Sequence, residues 1–216
     1  MVENIFIMVE IIVINIVLSG DNAIVIALAS KNLPQQQQKK AVWWGALGAV
    51  FLRLALTVGA VFLLDIPYIQ AIGSGLLLYI AIALLINDSD HSVKEVFSLG
   101  AAIWTIVVAD FVMSLDNVLA IAAIAQDDYI LLFLGIGMSI PLIVWGSTFF
   151  MKLLEKYTFL VYIGAGILGY TAGEMLLNDQ KAIELLRDTH HSLHWFIPAF
   201  CTAVVLLAGL FFSKKT

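Results

Sequence analysis

Two short stretches, Leu18-Ser19-Gly20-Asp21-Asn22-Ala23 and Met113-Ser114-Leu115-Asp116-Asn117-Val118, set the same Ser-x-Asp-Asn pattern inside long apolar runs. An Asp near the centre of a spanning helix costs about 2.5 to 3.5 kcal/mol on insertion scales, so two in matching settings need a physical reason. Carboxylate and amide side by side offer hard oxygen ligands to a cation. A single such site could equally be a hydrogen-bonded helix contact; its repetition favours a shared binding function.

The balance of charge supports that reading. The acids that fall within apolar runs are Glu10, Asp21, Asp110, Asp116 and Glu174, against the single base Arg53. These groups cannot neutralise one another, and bare carboxylates are prohibitively costly in hydrocarbon. The site must therefore hold protons, cations or both. Carboxylate, amide and backbone carbonyl oxygens, without thiolate or imidazole in the spans, suit Mn²⁺, Ca²⁺ or Mg²⁺ better than Zn²⁺ or Cu⁺, and do not choose among the three. Carboxylates can also carry protons, so cation/proton antiport needs no further parts. No prosthetic group is implied.

The elements that position these residues follow from composition. With 62% hydrophobic and 12% charged residues, 216 residues and a mean hydropathy of +0.99, the chain reads as an all-α polytopic membrane protein. Apolar runs predict seven transmembrane helices, at about 5–29, 42–64, 67–86, 99–125, 129–151, 159–177 and 195–212. The N-terminal run lacks a basic n-region and a small-x-small cleavage site before Asp21, so it reads as the first span and not as a signal peptide. Lys31 to Lys40, with Pro34 and the run Gln35 to Gln38, reads as a polar loop, and Asp65-Ile66-Pro67 as a tight turn.

Loop charges set the expected orientation. With the N-terminus outside, Lys31, Lys39, Lys40, Lys94, Lys152, Lys156, Lys214 and Lys215 fall on the cytoplasmic side and only Lys181 and Arg187 outside. By the positive-inside rule the chain is N-out and C-in, in a cell membrane.

Internal repetition gives the plan. Ile72-Gly73-Ser74-Gly75-Leu76-Leu77-Leu78-Tyr79 in the third run matches Ile163-Gly164-Ala165-Gly166-Ile167-Leu168-Gly169-Tyr170 in the sixth, in the same order as the two Asp sites. Matching runs lie three spans apart and so enter the membrane in opposite directions. This predicts two inverted three-helix repeats, about 1–90 and 95–180, plus a C-terminal helix at about 195–212, within a single domain over 1–216. Counting depth, Asp21 and Asp110 share one layer near the midplane, and Asn15 and Asp116 a second slightly toward the outside. Asn15 and Asn22, like Asp110 and Asn117, are seven residues apart on one helix face. Ser19 and Gly20 would let the first helix loosen and release carbonyl oxygens.

Accessory roles are weaker. Glu10 and Glu174, near the outer ends of their spans, either reach water or line an outer vestibule. Arg53 reads as a counter-ion to one of the Asp residues, Asp21 or Asp116, or as a group that expels the substrate. Tyr79 and Tyr170 read as packing, and Cys201 as a small membrane-packing residue that rules out an intrachain disulfide. His190, His191 and His194 read as part of a solvated loop, although His190 and His194 have the spacing of a helix-borne metal pair. A short amphipathic helix is expected around Ile183 to Arg187, and Asp88-Ser89-Asp90-His91 reads as an acidic loop. No phosphate-binding loop, nucleophile with a base, or basic stripe for nucleic acid is present, so the chain does not read as an enzyme.

The paired signatures, Leu18-Ser19-Gly20-Asp21-Asn22-Ala23 and Asp110 with Ser114-Leu115-Asp116-Asn117-Val118-Leu119-Ala120, resemble those of the TerC family of integral membrane proteins, over nearly the whole chain. The length is similar to its short bacterial, YjbE-type members. That resemblance implies kinship with the lysine-exporter superfamily, a bacterial inner-membrane location, and divalent-cation export by alternating access. Because some members are associated with manganese efflux, it implies Mn²⁺ first. Asp21 and Asp116 would be central ligands, Asp110 a third ligand or the proton carrier, and Asn22 and Asn117 neutral ligands, with Ser19 and Ser114 as accessories. The alternatives are export of a small organic cation or amino acid, and a non-transporting partner in a metal or stress response. The partners expected are the ion, the lipid bilayer, and a second copy or a membrane or secreted protein.

Overall fold

The computed structural model describes residues 20–64, 66–89, 98–125, 133, 136–137, 139–185 and 190–213. Its elements are α1 (Gly20–Ser30), α2 (Gln35–Leu64), α3 (Ile69–Ser89), α4 (Leu99–Ala125), α5 (Ser139–Lys156), α6 (Phe159–Asn178), α7 (Gln180–Leu185) and α8 (His190–Ser213). Among the described residues, four helices are long and apolar enough to cross a membrane: α2, α3, α6 and α8. α1 and the Leu99–Leu115 part of α4 are shorter apolar helices.

α1 is the centre of the bundle. Asn22, Ala23 and Val25 through Ser30 are all buried, covering every face of the helix, and it packs against α2, α4, α5 and α6. A helix apolar all round has no preferred outward side and belongs inside. The outer helices face the other way: α2 exposes Trp43, Trp44, Leu47 and Phe51, and α8 exposes Trp195, Phe196, Phe200 and Phe211. Large apolar side chains turned outward are what a lipid solvent favours.

Contacts at the helix ends fix directions. Gln38 Nε2 donates to Lys31 O (2.9 Å) and approaches Glu155 Oε1 (3.4 Å), so α1 and α5 finish where α2 begins. Leu33, Ala41 and Ala102 form a small cluster there, which puts the start of α4 at the same end. At the opposite end, Asp179, just past α6, accepts a hydrogen bond from Ala71 N in the first turn of α3 (3.1 Å). The pairs α1/α4, α2/α5 and α3/α6 therefore each run in opposite directions.

Small residues permit the closest approaches. A Cβ on Gly164 of α6 would lie 2.9 Å from Ile24 Cγ2 of α1, and one on Gly173 would collide with Pro198 of α8. Gly73 of α3 is similarly pressed, with Met175 Cε at 2.6 Å and Val112 Cγ1 at 3.2 Å from its would-be Cβ. The first glycine of each matching Gly-x-Gly stretch, Gly73 and Gly164, thus marks a close helix contact, whereas Gly75 faces open space. α8 lies against α6 and α3, outside the α1 to α6 assembly.

Several sequence boundaries move. The polar loop ends at Pro34, and Gln35 to Lys40 are the opening turns of α2. Gln and Lys are good helix formers, and Pro34, whose carbonyl accepts from Gln37 N (2.7 Å) and Gln38 N (2.9 Å), is tolerated at a helix start. The turn after α2 is tight, with Tyr68 at φ 62° before α3 starts at Ile69. Asp88 and Ser89 complete α3, so the acidic loop reading is wrong for those two; 90 and 91 lie outside the described residues. α5 runs on to Lys156, beyond the expected end at 151. The solvated loop after α6 is corrected most: α7 follows at once, as the amphipathic reading expected, and α8 begins at His190, so the three histidines belong to a helix.

Candidate cation site

Arg53 is 1% exposed in the middle of α2, and its guanidinium reaches α4. Nη2 bonds Asp110 Oδ1 at 2.6 Å and Nε donates to Ser114 Oγ at 2.9 Å. Ser114 Oγ in turn donates to Asp110 Oδ2 at 3.3 Å, closing a three-member network. Asp110 and Ser114 are one helical turn apart and so share a face of α4, which makes this grip possible. The position of Arg53 is reinforced on its own helix by Thr57 Oγ1, which donates to Arg53 O at 2.8 Å. Sequence reading left open whether Arg53 pairs with Asp21 or Asp116; the structure pairs it with Asp110 instead. A buried carboxylate so paired has its charge met, which assigns Asp110 to the network first.

The residues of α1 are placed differently. Asp21 is partly buried, its Oδ1 accepts from Asn22 N at 2.8 Å, and it lies within electrostatic reach of both Arg53 and Asp110. Asn22 is 2% exposed, yet among the described residues neither Oδ1 nor Nδ2 has a hydrogen-bond partner. Burying an unpaired amide costs about 1 to 3 kcal/mol, so such a group is retained for a reason other than stability. α1 and α4 are in contact, so this unmet amide stands in the same interior as the Arg53 network.

The structure thus brings Asp21 within reach of the Arg53–Asp110–Ser114 network, with the buried Asn22 next to it on α1. Asp116 and Asn117 follow on α4, Asp116 about 9 Å beyond Asp110 along the axis, but their side chains are outside the described residues, as are Glu10, Asn15 and Ser19. Glu174 does not join the cluster: it is exposed on α6 and interacts with the Tyr170 hydroxyl. Tyr79 and Tyr170, expected as packing, are 69% and 40% exposed and face outward. Cys201 is buried and free, as expected. Among the described residues no three His, Cys, Asp or Glu side chains converge, so carboxylates alone do not build the site there.

Asp179 was missed. It is 4% exposed, and besides Ala71 N it accepts from Lys181 N (3.0 Å) and Ala182 N (2.9 Å), capping α7 and tying it to α3. An Asp two and three residues ahead of these amides is an N-cap signal that could have been read. On the exposed turn that it holds, Lys181 pairs with Glu184 at 2.9 Å, and that carboxylate pushes the Lys181 pKa up.

A profile described as "Integral membrane protein TerC family" matches residues 1–216. The chain is 42% identical over 202 residues to the membrane protein YjbE of Bacillus subtilis, covering 93% of this chain and 92% of that one. It is 24% identical to YkoY and 25% identical to YceF of the same organism, covering 61% of each. All three are described as uncharacterized membrane proteins. No solved structure matches.

Proposed function

This chain belongs to the TerC family of integral membrane proteins, a family linked to membrane transport, and from that premise we propose that it carries a hard divalent cation across the membrane. One observation carries the reading: a fully buried Asn22 amide with neither atom satisfied, beside the Asp21 carboxylate, in a bundle whose single intramembrane base is already engaged with Asp110. A bound cation would take the amide and carboxylate oxygens and repay the cost of burying them. Asp116 and Asn117 complete the ligand set from α4, and the Arg53–Asp110–Ser114 network holds that helix in place beside it. Mn²⁺ ranks first by resemblance; the oxygen set suits Ca²⁺ and Mg²⁺ chemically as well.

Transport proceeds by alternating access between two inverted halves. The opposed directions of α1/α4, α2/α5 and α3/α6 support this, as does the pattern of neighbours. Exchanging each helix with its mate turns the α1–α5 contact into α4–α2, and α1–α6 into α4–α3, and both members of each pair occur. The end bearing Lys31, Lys39, Lys152 and Lys156 faces the cytoplasm by the positive-inside rule, and export as the direction of net flux rests on the family resemblance alone.

The test is uptake of Mn²⁺, Ca²⁺ and Mg²⁺ into proteoliposomes, with and without a proton gradient, beside Asp21→Asn and Asp116→Asn variants. Selective flux that both variants lose bears the proposal out. A folded protein that moves none of the three ions refutes it.

A further inference from the structure

At the lysine-bearing end, α2 and α5 diverge to leave a half-open crevice of about 580 Å³, which the cation reading does not use. Its lining changes character along its length. Val42, Trp43, Val144 and Met151 make an apolar wall, whereas Lys39, Lys152 and Gln38 stand at the outer mouth. α2 has 30 residues, about 45 Å of helix, which exceeds a hydrocarbon core of about 30 Å, so its first turns sit at headgroup level. Both lysines are exposed and neither forms an ion pair among the described residues.

A crevice flanked by two ammonium groups is a poor route for a divalent cation, and its walls come from α2 and α5 instead of the helices carrying Asp21 and Asp116. Charge and hydropathy instead fit an amphiphile with an anionic head. We propose that this crevice binds one anionic glycerophospholipid: its phosphodiester lies between Lys39 and Lys152, and an acyl chain runs along Val42, Trp43 and Met151. The single acid at the mouth, Glu155, is turned toward the Gln38 amide at 3.4 Å, leaving the lysines in excess. The lipid would brace α2 against α5, the pair whose separation changes if the two halves rock. The inference stands apart from the cation site and survives its failure.

Native mass spectrometry of the purified chain in detergent micelles tests it, with phosphatidylglycerol, phosphatidylethanolamine and glycerol phosphate as probes. The expected result is one phosphatidylglycerol retained in preference to the zwitterionic lipid. Replacing both lysines, Lys39→Gln with Lys152→Gln, should weaken retention roughly tenfold or more. Both side chains are exposed, so the variant should fold, which an unchanged Tm verifies. Thr148→Trp, which fills the apolar part of the crevice, should also lower retention while leaving the lysines intact. Equal retention of both lipids, or retention unaffected by either variant, overturns the proposal. Binding of glycerol phosphate as tight as that of the lipid overturns it too, by showing a site for a soluble anion.

Discussion

On α4, Asp110 is held by Arg53 at 2.6 Å and by Ser114, whereas on α1 an Asn22 of comparable burial has no partner for either atom of its amide. Both are buried polar groups inside apolar runs, and they are satisfied differently; the counterparts of Asp21 and Asn22 in the repeated pattern, Asp116 and Asn117, have side chains outside the described residues. Arg53, the one base within the apolar runs, engages Asp110 and Ser114, whereas Asn22 keeps unmet hydrogen-bonding capacity among the described residues. A structure selected for stability alone would have paired or removed Asn22; the proposed binding role gives a reason to keep it.

Breaking the satisfied half has the largest effect. Arg53→Leu leaves Asp110 buried without a counter-charge and should cost about 3 to 5 kcal/mol, read as a lowered unfolding midpoint in micelles. Arg53→Leu with Asp110→Leu should recover most of that loss, because no charge is then stranded; a double variant as unstable as the sum of the two singles would show that the network does more than neutralise itself. Ser114→Ala removes a hydrogen bond to a charged group, and a smaller loss of about 1.5 to 3 kcal/mol is expected in the same assay.

The unsatisfied half should respond with the opposite sign. Asn22→Leu has similar volume and no polar atoms to strand, so unfolding should shift toward greater stability, by of order 1 kcal/mol, while cation flux falls. A marked destabilisation would mean that the amide is satisfied after all. The smallest effect is expected at Ser30, whose buried hydroxyl on the same helix also lacks a partner. Ser30→Ala should be neutral or slightly stabilising and leave flux intact, separating an unmet group at the site from one outside it.

Much of this contrast was legible in the residues. The excess of acids over bases, and the depth count that set Asp21 and Asp110 in one layer, anticipated their neighbourhood with Arg53. Which acid takes the arginine was not legible, because it depends on how α2 is rotated against α4, and an apolar run declares no face. Likewise hydropathy reports where hydrocarbon ends and not where a helix ends, so Gln35 to Lys40 read as loop although they are the opening turns of α2. Asp179 escaped because half of its role is a bond to Ala71, 108 residues away, which no local pattern records. The orphaned state of Asn22 is visible only once its surroundings are known.

The most direct test of the central claim is Mn²⁺ binding followed by electron paramagnetic resonance, through loss of the free-ion signal on titration into purified protein. Wild type and an Arg53→Leu/Asp110→Leu variant of verified fold should both deplete the free ion, and Asp21→Asn and Asn22→Leu should not. Depletion that persists in the two α1 variants but disappears with the α2–α4 pair would place the ion at Asp110 and contradict the account.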